Sequence, residues 1–205
     1  MKVSGIVFTV IVIIVSSVVA HASGDADALL KRIVEKYGKT SGLVAKFTEE
    51  GEGEKMSGTI SLRGKDKFRL ELTDKTIVCN GKVIWVYTSS QKRVTIDNFK
   101  QQKNSLSPEF FLAQIPADAK ASIIGTPNNY IRMLLEPQTA DAWGFVKSVT
   151  IDVEESNATI HRVEIVDQNS IKRDITIHSL KFDINMPESS FEFTPPKDVT
   201  VVDLR

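Results

Sequence analysis

The sequence predicts a mainly β protein with some α: one antiparallel sheet, either curved or closed into an open barrel, carrying few helices. Three observations predict it. Apolar and polar residues alternate over short runs, as where Phe68, Leu70 and Leu72 interleave with Arg69, Glu71 and Thr73. Asn80-Gly81 stands between two β-rich runs, a strong hairpin signal. Only two segments read as helices, one at each end of residues 25–115.

The elements follow in order. Lys2 is the only charge before Asp25, and residues 6–15 are apolar apart from Thr9. Ala20-His21-Ala22 fits an A-x-A cleavage site, so residues 1–22 read as a cleavable signal peptide and residues 23–205 as one exported domain. Asp25 to Tyr37 is helical in pattern, with Leu29, Leu30, Ile33 and Val34 on one face, Asp25 or Asp27 able to cap its start and Gly38 to end it. A strand starts at Leu43, and residues 51–55 read as a polar turn. From Gly58 the period is two, with Ile60 and Leu62 sharing a face.

A two-residue loop at Asn80-Gly81 would pair Ile77 with Ile84 and Val78 with Val83. Ile77, Ile84 and Val86 then share one face, and Val78, Val83, Trp85 and Tyr87 the other. Both faces are apolar, so both need cover or one must line something hydrophobic. Arg93 to Ile96 continues the meander, and Pro108 opens a short helix that runs to Ile115. Further strands are expected at 121–124, 130–136, 146–153, 160–167, 174–182 and 191–194, the last ended by Pro195-Pro196.

Lys plus Arg number 26 and Asp plus Glu 26, so no basic stripe points to nucleic acid. The single cysteine, Cys79, leaves no internal disulfide, and packing must hold the domain together. Its place inside a strand reads as a buried, inert thiol. His161 and His178 sit in no metal-binding spacing, and there is no nucleophile elbow or phosphate loop. Glu49-Glu50 and Glu154-Glu155 read as solvated surface charge, and Asn157-Ala158-Thr159 is a weak glycosylation pattern. No enzyme activity, cofactor or metal is therefore expected. What stands out is the apolar set of Phe47, Phe68, Trp85, Tyr87, Phe110 and Phe111.

Several segments match a known family in order. Phe47-Thr48-Glu49 is similar to an F-x-Q/E strand, Gly58 to Arg63 to G-x-L-x-x-K/R, and Lys67 to Glu71 to R-F-R-W-E. Ile77 to Tyr87 resembles I-V-x-D-G-K-x-L-W-x-Y, Ser107-Pro108 with Phe111-Leu112 a lid-like helix, and Phe191 to Val202 the ending F-x-F-x-P-P-x-G-V-x-V. Together they resemble the periplasmic lipoprotein carrier family, the LolA type. The resemblance implies an unclosed antiparallel β-barrel covered by short helices, with an apolar cavity between them. It also implies a soluble, monomeric periplasmic chaperone without covalent chemistry. Its partners would be acylated lipoproteins, the inner-membrane ABC transporter that releases them, and an outer-membrane acceptor.

Lipid-binding candidates on the strand faces and lid are Phe47, Ile60, Leu62, Phe68, Leu70, Ile84, Trp85, Val86, Phe110, Phe111 and Leu112. The family often has an arginine and then a proline after the second strand, and this arginine holds the lid shut. Here Gly64 and Lys65 occupy those positions. Arg63, the lid-locking candidate, lies one residue early, which turns it to the opposite face. Closure is then expected to be weaker or to use another group. Ser23, where a lipid-anchored acceptor would need cysteine, suits a freely diffusing shuttle. The alternative readings are a lipid-binding sensor or regulatory domain of the same fold, and a carrier of another amphiphile such as a glycolipid.

Overall fold

The computed structural model describes residues 23–64, 66–99, 117–139 and 142–205. The signal peptide expected at 1–22 and the helix expected at 108–115 lie outside the described residues, as do Phe110, Phe111 and Leu112.

The first helix, α1, spans Ser23–Lys39, two residues longer at each end than the apolar spacing marks out. Asp25 in its first turn and Lys36 and Lys39 in its last complement the helix dipole. Ala26, Leu29, Leu30, Ile33 and Tyr37 are buried along one side. That is the stripe a helix lays on a sheet.

Strands β1 (Leu43–Gly51), β2 (Glu54–Arg63), β3 (Lys67–Leu72), β4 (Lys75–Asn80), β5 (Val83–Thr88) and β6 (Arg93–Asn98) form an antiparallel meander. A second meander, β7 (Ala119–Gly125), β8 (Ile131–Pro137), β9 (Val146–Glu154), β10 (Thr159–Asp167) and β11 (Lys172–Phe182), joins the first through β11 against β1. Strand β12 (Thr200–Asp203) lies parallel to β6. The twelve strands make one sheet, in the order β12-β6-β5-β4-β3-β2-β1-β11-β10-β9-β8-β7. Its two ends, β12 and β7, do not pair, so the curved sheet is an unclosed barrel. Register shifts after Lys46, Ile123, Ile160 and Val166 mark bulges, which strengthen local twist and bend the sheet around α1.

Three local expectations are corrected. The β1–β2 turn is only Glu52-Gly53, both at positive φ (50° and 84°), and β2 begins four residues before Gly58. The tip of this hairpin overhangs the core, so Glu54 to Ser57 are all exposed and show no apolar alternation. In the next hairpin Ile77 pairs with Val86 and Cys79 with Ile84. The loop is Gly81-Lys82, with Gly81 at φ 89° and the Asn80 side chain accepting the N–H of Lys82 and of Val83. The loop is displaced by one residue, which leaves the two face assignments intact.

Residues 191–194, expected as a strand, instead leave a 3-10 turn (Glu188–Phe191) and cross the outer face of the sheet. The strand comes after Pro195-Pro196, as β12. The prolines keep this segment extended, and its aromatic rings fill the sheet surface rather than a ladder. Phe191 is fully buried, and the Phe193 ring lies 5.6 Å from that of Tyr87. Val78, Trp85, Val94 and Ile96 form an outer core beneath Phe193 and Val199. The segment enters past Gly42, where a Cβ would collide with the carbonyl oxygen of Ile184. The β4–β5 hairpin is thus covered on both faces, as its two apolar faces require.

Candidate functional site

The inner face of the sheet meets α1 across a gap. Alternation sends Leu43 and Ala45 of β1, Ile60 and Leu62 of β2, Leu135 of β8, Val149 and Ile151 of β9, Ile160, Val163 and Ile165 of β10, and Ile175, Ile177 and Leu180 of β11 to one surface. Leu30, Ile33 and Tyr37 of α1 roof it. The cavity, partly open to solvent, has a volume of about 220 Å³. An apolar cavity of roughly 150 Å³ can already stay dry and take up a benzene-sized ligand. The only polar side-chain atom among the lining residues is the Tyr37 hydroxyl. It accepts the Ile160 N–H at 3.0 Å, and burial pushes its pKa up to about 12. The Tyr37 ring meets Phe182 edge-on at 5.2 Å. Among the described residues, no group of three His, Cys, Asp or Glu is placed to hold a metal ion. Such a surface can exclude water and accept hydrocarbon; it offers no nucleophile.

The sequence-derived candidates divide. Ile60 and Leu62 line the cavity. Phe68 is buried beside it, opposite Leu62, and Ile84 packs against the same core. Phe47, Leu70 and Val86 share that face by register but are half-buried and lie further along the sheet. Phe47 lies across Gly58, where a Cβ would come within 2.9 Å of its ring. Trp85 is corrected: it points to the outer face, under the C-terminal segment, because its neighbour Ile84 points inward. Size and aromaticity suggested a ligand site where an outer core needed a filler.

Arg63, expected to face away from the lid, does so. It leaves the sheet on the outer face, donates to the carbonyl of Met186 at 2.9 Å and pairs with Glu188 at 3.1 Å. Lys67 joins it on Glu188 at 2.6 Å. These contacts fasten the C-terminal segment rather than the roof of the cavity. The lining residues that the candidate set lacks come from α1, from the start of β1 and from β8 to β11. Their signal was present, since Val149, Ile151 and Val153 alternate with Thr150 and Asp152.

On the outer face of β8 to β11 the same alternation produces a charged ladder. Arg132 grips Asp152 with two hydrogen bonds, at 2.6 and 2.7 Å. Arg162 bonds Asp174 on the neighbouring strand β11 and Glu164 two residues along its own strand. One face of these strands is therefore solvated and cross-linked by charge, and the other is apolar where it lines the cavity. No helix among the described residues is long and apolar enough to cross a membrane.

Known proteins share this architecture. The outer-membrane lipoprotein carrier protein of Salmonella paratyphi B is 26% identical over 203 residues, covering 94% of this chain and 95% of that one. The protein of the same name from Pseudomonas paraeruginosa is 22% identical over 195 residues, covering 89% and 90%. Among solved structures, an uncharacterized conserved protein from Thermus thermophilus superposes with a TM-score of 0.58 at 15% identity, covering 87% of this chain and 99% of that one. The family model for the outer membrane lipoprotein carrier protein LolA matches residues 38–194, and the chain belongs to that family.

Proposed function

We propose that this protein is a periplasmic chaperone that takes the acyl chains of lipoproteins into the cavity between α1 and the sheet. It receives them from an inner-membrane ABC transporter and delivers them to an outer-membrane acceptor. The observation that carries this reading is the composition of the cavity wall, where aliphatic side chains from seven elements meet and the single polar side-chain atom of the lining residues is already hydrogen-bonded. Hiding one methylene from water is worth about 0.8 kcal/mol, so several long acyl chains cannot cross an aqueous compartment uncovered. The family membership and the carrier names of its relatives support the same role. The role includes no covalent step, which suits a cavity without a reactive group. The signal peptide read from residues 1–22 supplies the route to the periplasm.

The test uses inner-membrane vesicles that hold the transporter and a labelled triacylated lipoprotein. Adding the mature chain and ATP should move the lipoprotein into the supernatant as a complex with the chain. Lipoprotein that stays in the pellet, while the chain still binds a fluorescent acyl probe, would exclude lipoprotein shuttling and favour another amphiphile or a sensor role.

A further inference from the structure

The roof of the cavity is held by a row of polar contacts that all converge on one turn. Arg32 donates to the carbonyls of Glu155 and Ser156, at 2.6 and 3.2 Å. Lys36 donates to the Asn157 carbonyl at 2.8 Å and the Thr159 hydroxyl at 2.5 Å. The N–H of Ile160 returns a bond to the Tyr37 hydroxyl at 3.0 Å. Helix geometry sets up this row. Arg32 and Lys36 are one turn apart on one edge, and Ile33 and Tyr37, each the next residue, face the cavity.

Three of the four acceptors are backbone carbonyls presented by the short β9–β10 turn, in which Ala158 adopts φ 55° and is buried; the fourth is the Thr159 hydroxyl at the start of β10. Lys36 also sits 4.6 Å over the Phe182 ring, the partner of Tyr37. Beneath this half of the helix, Leu30, Ile33 and Tyr37 are buried in the inner core and also border the cavity. The gap interrupts apolar packing on that side, and the polar row adds an attachment at its edge.

We propose that Arg32 and Lys36 form the latch of the cavity: release of their hydrogen bonds from the β9–β10 turn lets α1 lift and admits or discharges an acyl chain. This rests on the carrier reading and gives it a regulated gate. It also answers the question left by Arg63, whose bonds to Met186 and Glu188 place it on the other side of the sheet. Arg32 and Lys36 are positioning residues. They act on α1, and the aliphatic wall binds the chain.

The experiment follows a fluorescent hexadecanoyl probe leaving the full-length mature protein by stopped flow, with amide hydrogen exchange of α1 measured in parallel. If opening precedes release, the release rate scales with the open population. Arg32→Gln and Lys36→Met should each speed release roughly tenfold, the fold-change that corresponds to about 1.4 kcal/mol, and should raise exchange in α1. Thr159→Val removes one acceptor without touching the helix and should give a smaller change in the same direction. Lys39→Gln, which alters only an exposed pair with Glu35, should change neither reading.

Release rates within about twofold of wild type in both the Arg32 and Lys36 variants, with the probe still bound, overturn the latch and leave the carrier reading standing. A wild-type protein that does not bind the probe overturns the acyl cavity and the latch with it. Faster release in the variants combined with failed lipoprotein transfer from vesicles would support the latch and remove only the lipoprotein assignment.

Discussion

Filling the cavity should raise stability and lower acyl affinity, and the pairing of these opposite signs makes it diagnostic. Ala45 lies on the cavity wall and is 6% exposed. Ala45→Leu adds three carbons that would occupy space now empty. At about 0.8 kcal/mol per buried carbon the gain approaches 2.4 kcal/mol. Adjustment of the surrounding side chains offsets part of it, since overpacking costs about 1–3 kcal/mol. The net expectation is a gain of up to about 1.4 kcal/mol, read as a higher denaturant midpoint at unchanged m-value.

The same three carbons displace about three methylenes of a bound chain. That loss of about 2.4 kcal/mol should weaken probe binding roughly fiftyfold. Denaturant titration and fluorescence titration of one protein sample read both quantities. A variant that is destabilised by more than about 2 kcal/mol and binds the probe as before would refute the reasoning, because Ala45 would then face packed protein.

Other expectations concern the surfaces around the site. Asp152→Ala removes the acceptor shared by the two arginines of the outer ladder. Asp152 is nearly buried, while the Arg132 and Arg162 side chains keep 34% and 26% exposure and can turn to water. Unfolding should show a loss of about 2 kcal/mol, less than for a fully buried ion pair, and no measurable loss would contradict the ladder's role. The C-terminal fastening should loosen in acid. The Lys67 hydrogen bond, aided by the charge of Arg63, holds the Glu188 carboxyl below its ordinary value. Its contribution is therefore present above the ordinary glutamate range and is lost as pH falls through the lowered value. Amide exchange in residues 186–193 should accelerate over that interval, and Glu188→Gln should flatten the response. A wild-type profile without that acceleration would refute the fastening. Cys79 is fully buried, and burial pushes its thiol up to about 11. A thiol reagent at neutral pH should label it only through unfolding, with a rate that follows denaturant. Fast labelling of the native protein would contradict its placement.

The sheet was legible because alternation fixes which residues share a face within a strand. It showed that Ile77, Ile84 and Val86 oppose Val78, Trp85 and Tyr87, although the loop was misplaced by one residue. It could not show which face meets α1. That depends on β11 returning to pair with β1, a contact between residues more than a hundred positions apart. Trp85 was assigned to the cavity for this reason, when the segment around Phe191 and Phe193 makes its face an outer core. The C-terminal segment itself was misread because its aromatic alternation matches that of a strand. The latch was not legible, since all but one of its acceptors are backbone carbonyls, which no side-chain pattern marks.

The central claim is that the gap between α1 and the sheet holds acyl chains. Native mass spectrometry of the mature chain purified from the periplasm tests it most directly, after incubation with transporter-bearing vesicles and alongside the Ala45→Leu variant. The account predicts a wild-type complex with the mass of an acylated lipoprotein, largely lost in the variant. A wild-type protein that stays at the mass of the free chain, or a variant that retains the lipoprotein as fully as wild type, would contradict it.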